Sequence, residues 1–165
     1  MKESPVLAIV RQEDPHSFDA SLLLDEVSAM VALYSGDGAQ TRFRVEDATT
    51  PRGAFVVARS AKGEAIGCGA VRRLSFEVAE LKRIYRRPEW PGAGSAILRY
   101  LERIAVTLGF RCVVLQTRAA NRHSIAFYQR HGYRSIEPYG EYVRMGDARC
   151  FGKALPLVTQ PKTRA

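Results

Sequence analysis

Hydrophobic positions along the chain alternate between the spacing of strands and the spacing of helices. Short runs of apolar and β-branched residues predict strands at residues 6–10, 54–59, 65–74, 77–86, 112–116, 133–136 and 150–155. Helical spacing predicts helices over residues 18–34, 96–108 and 121–130. Residues 39–53 are polar and are expected to form a loop with a short helical piece. The predicted order is therefore β α β β β α β α β β.

The predicted helices carry start and stop signals. Asp14-Pro15-His16-Ser17 precedes the first helix and Asn121 precedes the third, and such polar residues cap helix N-termini. Gly109 and Gly132 follow the second and third helices, where a glycine ends a helix readily. The apolar stripe of the first helix is expected to consist of Leu23, Val27, Met30, Val31 and Tyr34.

The strand predicted at residues 77–86 has polar side chains on both faces. Strict alternation places Val78, Glu80, Lys82 and Ile84 on one face and Ala79, Leu81, Arg83 and Tyr85 on the other. Because neither face is purely apolar, we expect one side of this strand to border a functional site.

The order of elements predicts the fold class. A strand–helix–strand unit in the middle of the chain implies a parallel pair, and the flanking hairpins imply antiparallel pairs. We therefore expect an α/β (α+β) protein with a mixed sheet and helices on both faces. The 165 residues are expected to form a single domain, with a core over about 3–155 and a frayed tail at 156–165.

The composition is that of a globular protein, but the charge is unusual. The chain is 46% hydrophobic and 25% charged, and no apolar run is long enough for a membrane span or a signal peptide. Its formal net charge is +8, and residues 81–122 alone hold nine basic and two acidic residues, interleaved with apolar ones. This balance indicates an anionic partner: nucleic acid, an anionic membrane or a phosphorylated ligand.

Cysteine and histidine give no sign of a metal site. Cys68, Cys112 and Cys150 lack metal-ligand spacing and lie in apolar or mixed runs, so they are expected to be reduced, mostly buried thiols of a cytoplasmic protein. The three histidines are not spaced as ligands, and we expect no metal.

Two stretches carry candidate chemistry. In residues 84–96 a strand ends, a turn with Gly92 and Gly94 follows, and a helix begins, which is a suitable place for a pyrophosphate. The turn is neither a Walker motif nor a dinucleotide fingerprint. In the second stretch, Asn121, Ser124 and Tyr128 lie near one face of a helix.

Taken together, these stretches resemble the GNAT superfamily of N-acetyltransferases. Residues 87–96 look like its acetyl-CoA signature, residues 121–128 with Gly132-Tyr133 look like its companion helix and strand, and Phe55–Arg59, Gly67–Gly69 and Glu80–Arg83 also match. The resemblance covers residues 3–155 and implies a sheet of six to seven strands, splayed open near its middle around the cofactor.

The resemblance also implies site residues. The backbone of Ile84, Tyr85 and Arg86 would hold the acetyl and pantetheine groups, and the amides of Gly92, Ala93, Gly94, Ser95 and Ala96 would hold the pyrophosphate. Asn121 would bond the pantetheine arm, and Tyr128 would sit beside the thioester sulfur. The family has a basic or amide residue where this chain has Pro91, so one donor is missing, which Arg86, Arg87 or Ser95 could replace.

The implied reaction is direct acetyl transfer from acetyl-CoA to an amine. Tyr128 is the candidate acid for the leaving thiolate, and Glu80 is the candidate base unless it only pairs with Arg72, Lys82 or Arg83; Glu77 and Glu141 are weaker options. Tyr34, Arg72, Tyr139 and Glu141 are candidates for acceptor binding.

Several functions remain open at this point. The acceptor is expected to be a small-molecule amine or an amino acid, with a protein N-terminus or lysine as the alternative. A catalytically weak acyl-CoA-binding module is a second class, which Pro91 keeps open. A nucleic-acid binder is a third, but no aromatic-rich basic strand or recognition helix supports it, and no membrane partner is expected. The protein is expected to be a monomer or a homodimer.

Overall fold

The computed structural model describes residues 7–35 and 44–157, and within them seven strands form one sheet of order β1-β2-β3-β4-β5-β7-β6. The strands are β1 (Ile9–Gln12), β2 (Ala54–Arg59), β3 (Ala65–Arg73), β4 (Val78–Arg86), β5 (Cys112–Arg118), β6 (Arg134–Ile136) and β7 (Ala148–Ala154). The α-helices are α1 (Phe18–Ser35), α2 (Val45–Thr49), α3 (Ala93–Thr107) and α4 (Arg122–Arg130), and a 3-10 helix covers Gly140–Arg144. The predicted order is confirmed, with α2 as the short helical piece of the loop.

The first strand is displaced from its predicted position. β1 begins at Ile9 and pairs antiparallel with β2 as far as Gln12. Backbone pairing therefore includes the polar residues Arg11 and Gln12, which lie beyond the apolar run at 6–10 that predicted the strand. Val6, which the prediction included, lies outside the described residues, as do residues 39–43 of the predicted loop and 158–165 of the predicted tail.

The sheet is mixed and opens at its centre, as the resemblance implied. β4 and β5 are parallel neighbours, but they pair only from Val78 with Cys112 to Glu80 with Val114. Both strands continue well beyond these pairs, to Arg86 and Arg118. The two halves of the sheet therefore diverge after Glu80 and leave a cleft between them.

A β-bulge in β4 changes the predicted faces of this strand. Arg83 has a φ of 57°, and the register with β3 shifts between Cys68 and Ala70. Beyond the bulge, Ile84 packs with the core on the α3 side, and Tyr85 packs with the core on the opposite side. The strict alternation that grouped Ile84 with Glu80 and Tyr85 with Leu81 is therefore wrong, because the extra residue reverses the sense of every later side chain.

The helices cover both faces of the sheet. α3 buries Ile97, Leu98 and Leu101 against one face, and α4 packs at the edge of the same core. α1 and α2 pack on the opposite face, where they bury Leu23 and Ala48 against β2 and β3. The expectation of helices on both faces is confirmed.

The first helix follows its predicted stripe only in its N-terminal half. Ser17 caps α1 by accepting a hydrogen bond from the Ala20 amide over 3.1 Å, and Leu23 is fully buried. Met30 remains 41% exposed, although it belongs to the predicted apolar stripe. Val31 and Tyr34 line a cavity rather than the core, which explains why an apolar stripe extends beyond the packed part of the helix.

The crossing of α3 over β3 depends on glycine. A Cβ atom built at Gly67 would lie 2.5 Å from the Tyr85 carbonyl oxygen and 2.8 Å from Cδ1 of Ile97. The first of these atoms belongs to the backbone of the neighbouring strand and cannot rotate away. Gly67 therefore allows β3, β4 and α3 to approach closely.

Gly67→Ala is expected to lower the free energy of unfolding by about 2 kcal/mol, because overpacking forces backbone and side chains apart. For a chain of this size, such a loss lowers Tm by about 4–8 °C. The measurement is thermal or urea unfolding of the two proteins. Gly146→Ala is the matched control, because a Cβ there meets nothing within 4 Å, and its stability should stay within about 0.5 kcal/mol of the wild type. Equal stability of both variants would contradict the packing argument.

Candidate active site

The cleft between β4 and β5 contains a cavity that joins the two faces of the sheet. Its walls come from the diverging strands, from α1, from α4 and from the 3-10 helix region. Its polar lining includes the side chains of Tyr34, Glu80, Lys82, Gln116, Asn121, Ser124, Tyr128 and Tyr142. Of the predicted catalytic pair, both Glu80 and Tyr128 line this cavity.

Glu80 lies where the strands begin to diverge and is only 1% exposed. Its Oε1 atom is 2.6 Å from Nε of Arg72 and 3.7 Å from Nζ of Lys82. Its Oε2 atom accepts a hydrogen bond of 2.6 Å from the Tyr139 hydroxyl. The pairing that was weighed against a catalytic role is therefore present, with Arg72 and Lys82.

These partners explain how a carboxylate can be buried here. An ion removed from water needs a counter-ion and hydrogen bonds to its remaining lone pairs, and Glu80 has both. Burial and the Glu80 carboxylate raise the pKa of Tyr139, so this phenol stays protonated and continues to donate. Burial lowers the pKa of Lys82, whose ammonium also donates to the Tyr142 hydroxyl over 3.2 Å. The cluster therefore holds the carboxylate in a fixed orientation at the apex of the cleft.

Tyr128 lies on the opposite wall of the cavity. Its ring is held edge-on by Phe127 and Tyr133, with centroid distances of 5.3 and 5.7 Å. The hydroxyl forms no hydrogen bond within the described part of the chain. Burial raises the pKa of this phenol, so it is a proton-bearing donor throughout the physiological range.

Asn121 starts α4 and reaches the same cavity. Its side-chain oxygen accepts from the Ser124 amide over 3.2 Å, which makes it the N-cap that the sequence predicted. The cap fixes the start of the helix that carries Ser124 and Tyr128. Asn121 therefore has a structural role, and its amide group also lies at the cavity wall.

The N-terminus of α3 follows the glycine turn as predicted, but fewer amides are open than expected. Gly92 has a φ of 92° and forms the cap. The Ala93 amide donates to the Trp90 carbonyl and the Ala96 amide to the Gly92 carbonyl. Gly94 and Ser95, by contrast, donate to no carbonyl in residues 7–35 and 44–157. The Ala93 and Ala96 amides are therefore engaged within the turn, and their contact with a pyrophosphate stays a prediction.

Arg86 and Arg87, which were expected to compensate for Pro91, differ in their surroundings. Nε of Arg87 lies 3.1 Å from the Glu26 carboxylate, and this guanidinium also bonds the Ala65 carbonyl. Arg86 instead bonds the Pro88 carbonyl over 3.1 Å, and its chain passes 3.8 Å from where a Cβ of Gly94 would lie. Arg86 is thus the arginine that stands beside the open helix N-terminus.

The predicted acceptor residues fall into two groups. Tyr34 lines the cavity that holds Glu80 and Tyr128. Arg72, Tyr139 and Glu141 instead line a second pocket, together with Arg44 and Asp47. Since Arg72 and Tyr139 both contact Glu80, this carboxylate lies between the two pockets.

Sequence reasoning missed Gln116 and Tyr142. Gln116 lies on the cavity wall in a strand whose first four residues are apolar, and the only signal in the sequence was a polar residue at the end of the run from Cys112 to Leu115. Tyr142 follows the acceptor candidates Tyr139 and Glu141 in a segment rich in tyrosine, and this segment folds as the 3-10 helix Gly140–Arg144.

None of the three cysteine thiols is poised as a nucleophile. Burial raises the pKa of Cys68 to about 12 and also raises the pKa values of Cys112 and Cys150. All three are free thiols, as the sequence predicted. A raised pKa lowers the fraction of thiolate that covalent catalysis requires, and none of the three cysteines lines the cavity, so the geometry favours chemistry without an acyl-cysteine.

Two further observations concern metals and membranes. Among residues 7–35 and 44–157, no group of three or more His, Cys, Asp or Glu side chains is arranged to hold a metal ion. Over the same ranges, no helix has both the length and the apolar character that crossing a bilayer requires.

Comparison with known proteins identifies relatives. An uncharacterized N-acetyltransferase of Schizosaccharomyces pombe is 35% identical over 92 residues, which are 54% of this chain and 56% of that protein. An IAA acetyltransferase of Azospirillum brasilense is 32% identical over 92 residues, or 53% of this chain and 59% of that protein. The alignments thus span little more than half the length of either curated relative.

Solved structures share the architecture. A GNAT family acetyltransferase from Elizabethkingia anophelis, solved with acetyl-CoA bound, superimposes with a TM-score of 0.67. The match covers 90% of this chain and 98% of that one, at 16% sequence identity, and at that identity it establishes the fold. The family model described as Acetyltransferase (GNAT) family matches residues 20–133, well over half of the chain. Together with the splayed sheet, this match shows that the chain belongs to the GNAT acetyltransferase family.

Proposed function

We propose that this chain transfers an acetyl group from acetyl-CoA directly to the primary amine of a small molecule or an amino acid. The observation that carries the proposal is the cavity in the cleft, which has Glu80 at its apex and Tyr128 on its wall. Family membership and the Elizabethkingia anophelis relative with bound acetyl-CoA support the choice of donor. The free thiols favour a reducing compartment such as the cytoplasm.

The chain offers groups that suit a CoA-like ligand. The open amides of Gly94 and Ser95 and the Arg86 guanidinium would bind the pyrophosphate, because a helix N-terminus favours anions. The backbone of Ile84 and Tyr85 and the Asn121 amide would contact the pantetheine arm. When bound, acetyl-CoA supplies an acetyl thioester, whose carbonyl carbon accepts the amine nitrogen as the carbon–sulfur bond breaks.

The amine must lose a proton to react. An amine with a pKa near 10.4 costs about 4.6 kcal/mol to deprotonate at pH 7, whereas an α-amine near pKa 8 costs only about 1.4 kcal/mol. In our proposal the Glu80 carboxylate takes up this proton, directly or through one water. Arg72 and Tyr139 keep Glu80 oriented for this step, because each contacts one carboxylate oxygen.

Tyr128 acts on the leaving sulfur. Its hydroxyl would donate a hydrogen bond to the sulfur as negative charge develops there. The pKa of a phenol already lies above that of a free thiol, and burial raises the pKa of Tyr128 further, so stabilisation by a hydrogen bond is favoured over early proton transfer. The nitrogen still carries two protons when it bonds to the acetyl carbon, and it would give up one of them, through water, to the thiolate, which leaves as the free thiol. Glu80 then returns the first proton to solvent, and the amide product is neutral.

The proposal is tested by thiol release over a panel of amines, with free amino acids, polyamines, lysine-containing peptides and N-terminal peptides in separate wells. We expect turnover with small amines, together with a thermal shift on acetyl-CoA addition that weakens as salt rises, since exposed charges are screened. A thermal shift without turnover would indicate an acyl-CoA-binding module. Absence of a thermal shift would refute the proposed donor.

A further inference from the structure

We propose that the acceptor carries a carboxylate, and that Gln116 and Lys82 recognise it. This inference rests on the proposed function and deepens it, because it selects amino acids among the small amines. It assigns a specificity role to Gln116, which the family resemblance did not include. Three observations lead to it: an unsatisfied buried donor, its position on the strand, and the charge of the cavity.

The first observation is that Gln116 has an unsatisfied donor. Its Nε2 atom is buried and has no hydrogen-bond partner among the described residues, although the side chain lines the cavity. Native proteins keep few buried donors unpaired, and such a donor in a cavity wall indicates a missing acceptor atom. A carboxylate oxygen of a bound acceptor would satisfy it.

The second observation is the position of Gln116. On β5 it lies two residues beyond Val114, which pairs with Glu80 across the parallel ladder. Side chains two residues apart share a face of a strand, so Gln116 opens onto the face that carries Glu80. It pairs with Cys150 on β7, and Cys150 packs with Tyr142, whose hydroxyl accepts from Lys82. Gln116 and Lys82 are therefore on the walls of the same end of the cavity.

The third observation is the charge of this cavity. Among the described residues that line it, Glu80 is the single acid, while Lys82, Arg83 and Arg118 are basic. Glu80 is paired with Arg72 and also lies 3.7 Å from Lys82, and Arg118 is paired with Asp147 at 2.7 Å, so basic side chains outnumber acidic ones even when Arg72 and Asp147 are counted. The surplus is positive in a partly desolvated space, where charges act strongly.

This surplus selects between classes of acceptor. A second ammonium group, as in a polyamine, would meet like charges near Lys82 and would lose favourable interactions on leaving water. A carboxylate would be attracted there and could accept from the Gln116 amide. The reacting amine of the same molecule would then point toward Glu80 and Tyr128. An α-amino acid combines both groups, and its amine is also easier to deprotonate than that of a lysine side chain.

The test uses pairs of amines that differ only by the α-carboxylate: phenylalanine and phenethylamine, leucine and isoamylamine, arginine and agmatine. CoA release is measured for the wild type, Gln116→Glu and Gln116→Leu, with spermidine as a polycationic probe. We expect at least a tenfold higher kcat/KM for the carboxylate member of one or more pairs. Gln116→Glu should lower kcat/KM for the carboxylate-bearing amine at least tenfold, and Gln116→Leu should lower it about fivefold. KM for acetyl-CoA should stay within twofold of the wild type in both variants.

Gln12→Glu is the matched control, because it introduces the same charge on the exposed edge strand β1 and should behave as the wild type. Equal or better turnover of the decarboxylated amines, or a carboxylate preference that survives in both Gln116 variants, would overturn the inference and leave the proposed function intact.

If no amine turns over, the proposed function fails, and binding decides the inference. In that case the thermal shift of the CoA-saturated protein is measured with each amino acid and its amine. A shift with amino acids alone that Gln116→Glu abolishes supports carboxylate recognition. If amino acids cause no thermal shift of their own, or if their shift persists in Gln116→Glu, carboxylate recognition by Gln116 is overturned.

Discussion

Glu80→Gln is expected to lower kcat for acetyl transfer about 100-fold while KM for acetyl-CoA changes less than twofold. A positioned general base contributes about 10²–10⁴-fold, and the substitution removes the proton acceptor but keeps the size of the side chain. The amide oxygen can still accept from Arg72, and the amide NH2 can donate to the Tyr139 hydroxyl oxygen, so the local structure should persist. Steady-state kinetics with the best amine of the panel measures the effect.

The control for this prediction is Glu77→Gln. Glu77 is the weaker candidate base on the same stretch of chain, it is exposed, and it pairs with Arg111 at 3.4 Å. It should retain wild-type kcat, because an exposed pair of this kind contributes little. Unchanged kcat in Glu80→Gln, or a loss equal to that in Glu77→Gln, would refute the role of Glu80. Unfolding curves of both variants separate lost chemistry from lost stability.

A second variant tests how Glu80 is held. Tyr139→Phe removes the hydrogen bond of 2.6 Å to the carboxylate but leaves its ion pair with Arg72. As a positioning residue, Tyr139 should have a smaller effect than Glu80, and Tyr139→Phe combined with Glu80→Gln should lower kcat no further than Glu80→Gln alone. Additive losses would mean that Tyr139 acts separately, as a contact to the acceptor.

Local signals in the sequence predicted most of the elements. β2 lies at Ala54–Arg59 and α4 ends at Arg130, as expected, because β-branched runs and caps act within a few residues. β1 was misplaced, since its polar C-terminal half is held by pairing with β2 rather than by its own composition. Met30 belongs to the predicted stripe but is 41% exposed, because periodicity does not show where the neighbouring sheet ends.

The site was less predictable, because it depends on contacts between distant residues. Tyr139 and Glu80 are 59 positions apart, and nothing in either segment indicates that the two side chains meet. The bulge at Arg83 has no sequence signal either, since a non-glycine residue adopts a positive φ there. The bulge nevertheless reverses the predicted faces of two residues: Ile84 packs on the α3 side of the sheet, and Tyr85 packs on the α1 side. Unpaired donors such as Nε2 of Gln116 become visible only when all neighbours are placed.

Tyr128→Phe is expected to lower kcat at least tenfold while the affinity for acetyl-CoA stays within about twofold. The hydroxyl would stabilise charge that develops on the sulfur only as the carbon–sulfur bond breaks, so its loss raises the barrier without weakening binding. The phenol has no hydrogen-bond partner among the described residues, so its removal should also leave Tm unchanged within about 2 °C. Turnover, CoA titration and thermal unfolding measure these three quantities.

Tyr133→Phe is the matched control, because Tyr133 contacts the ring of Tyr128 edge-on and its own buried hydroxyl is also without a partner in the described residues. The same atom is removed from the neighbouring ring, yet Tyr133 does not line the cavity, so kcat should stay near that of the wild type. If both variants lost turnover equally, the cause would be packing of the aromatic cluster. If neither did, Tyr128 would have no role in acetyl transfer, and the sulfur would have to be stabilised by backbone donors of the cleft.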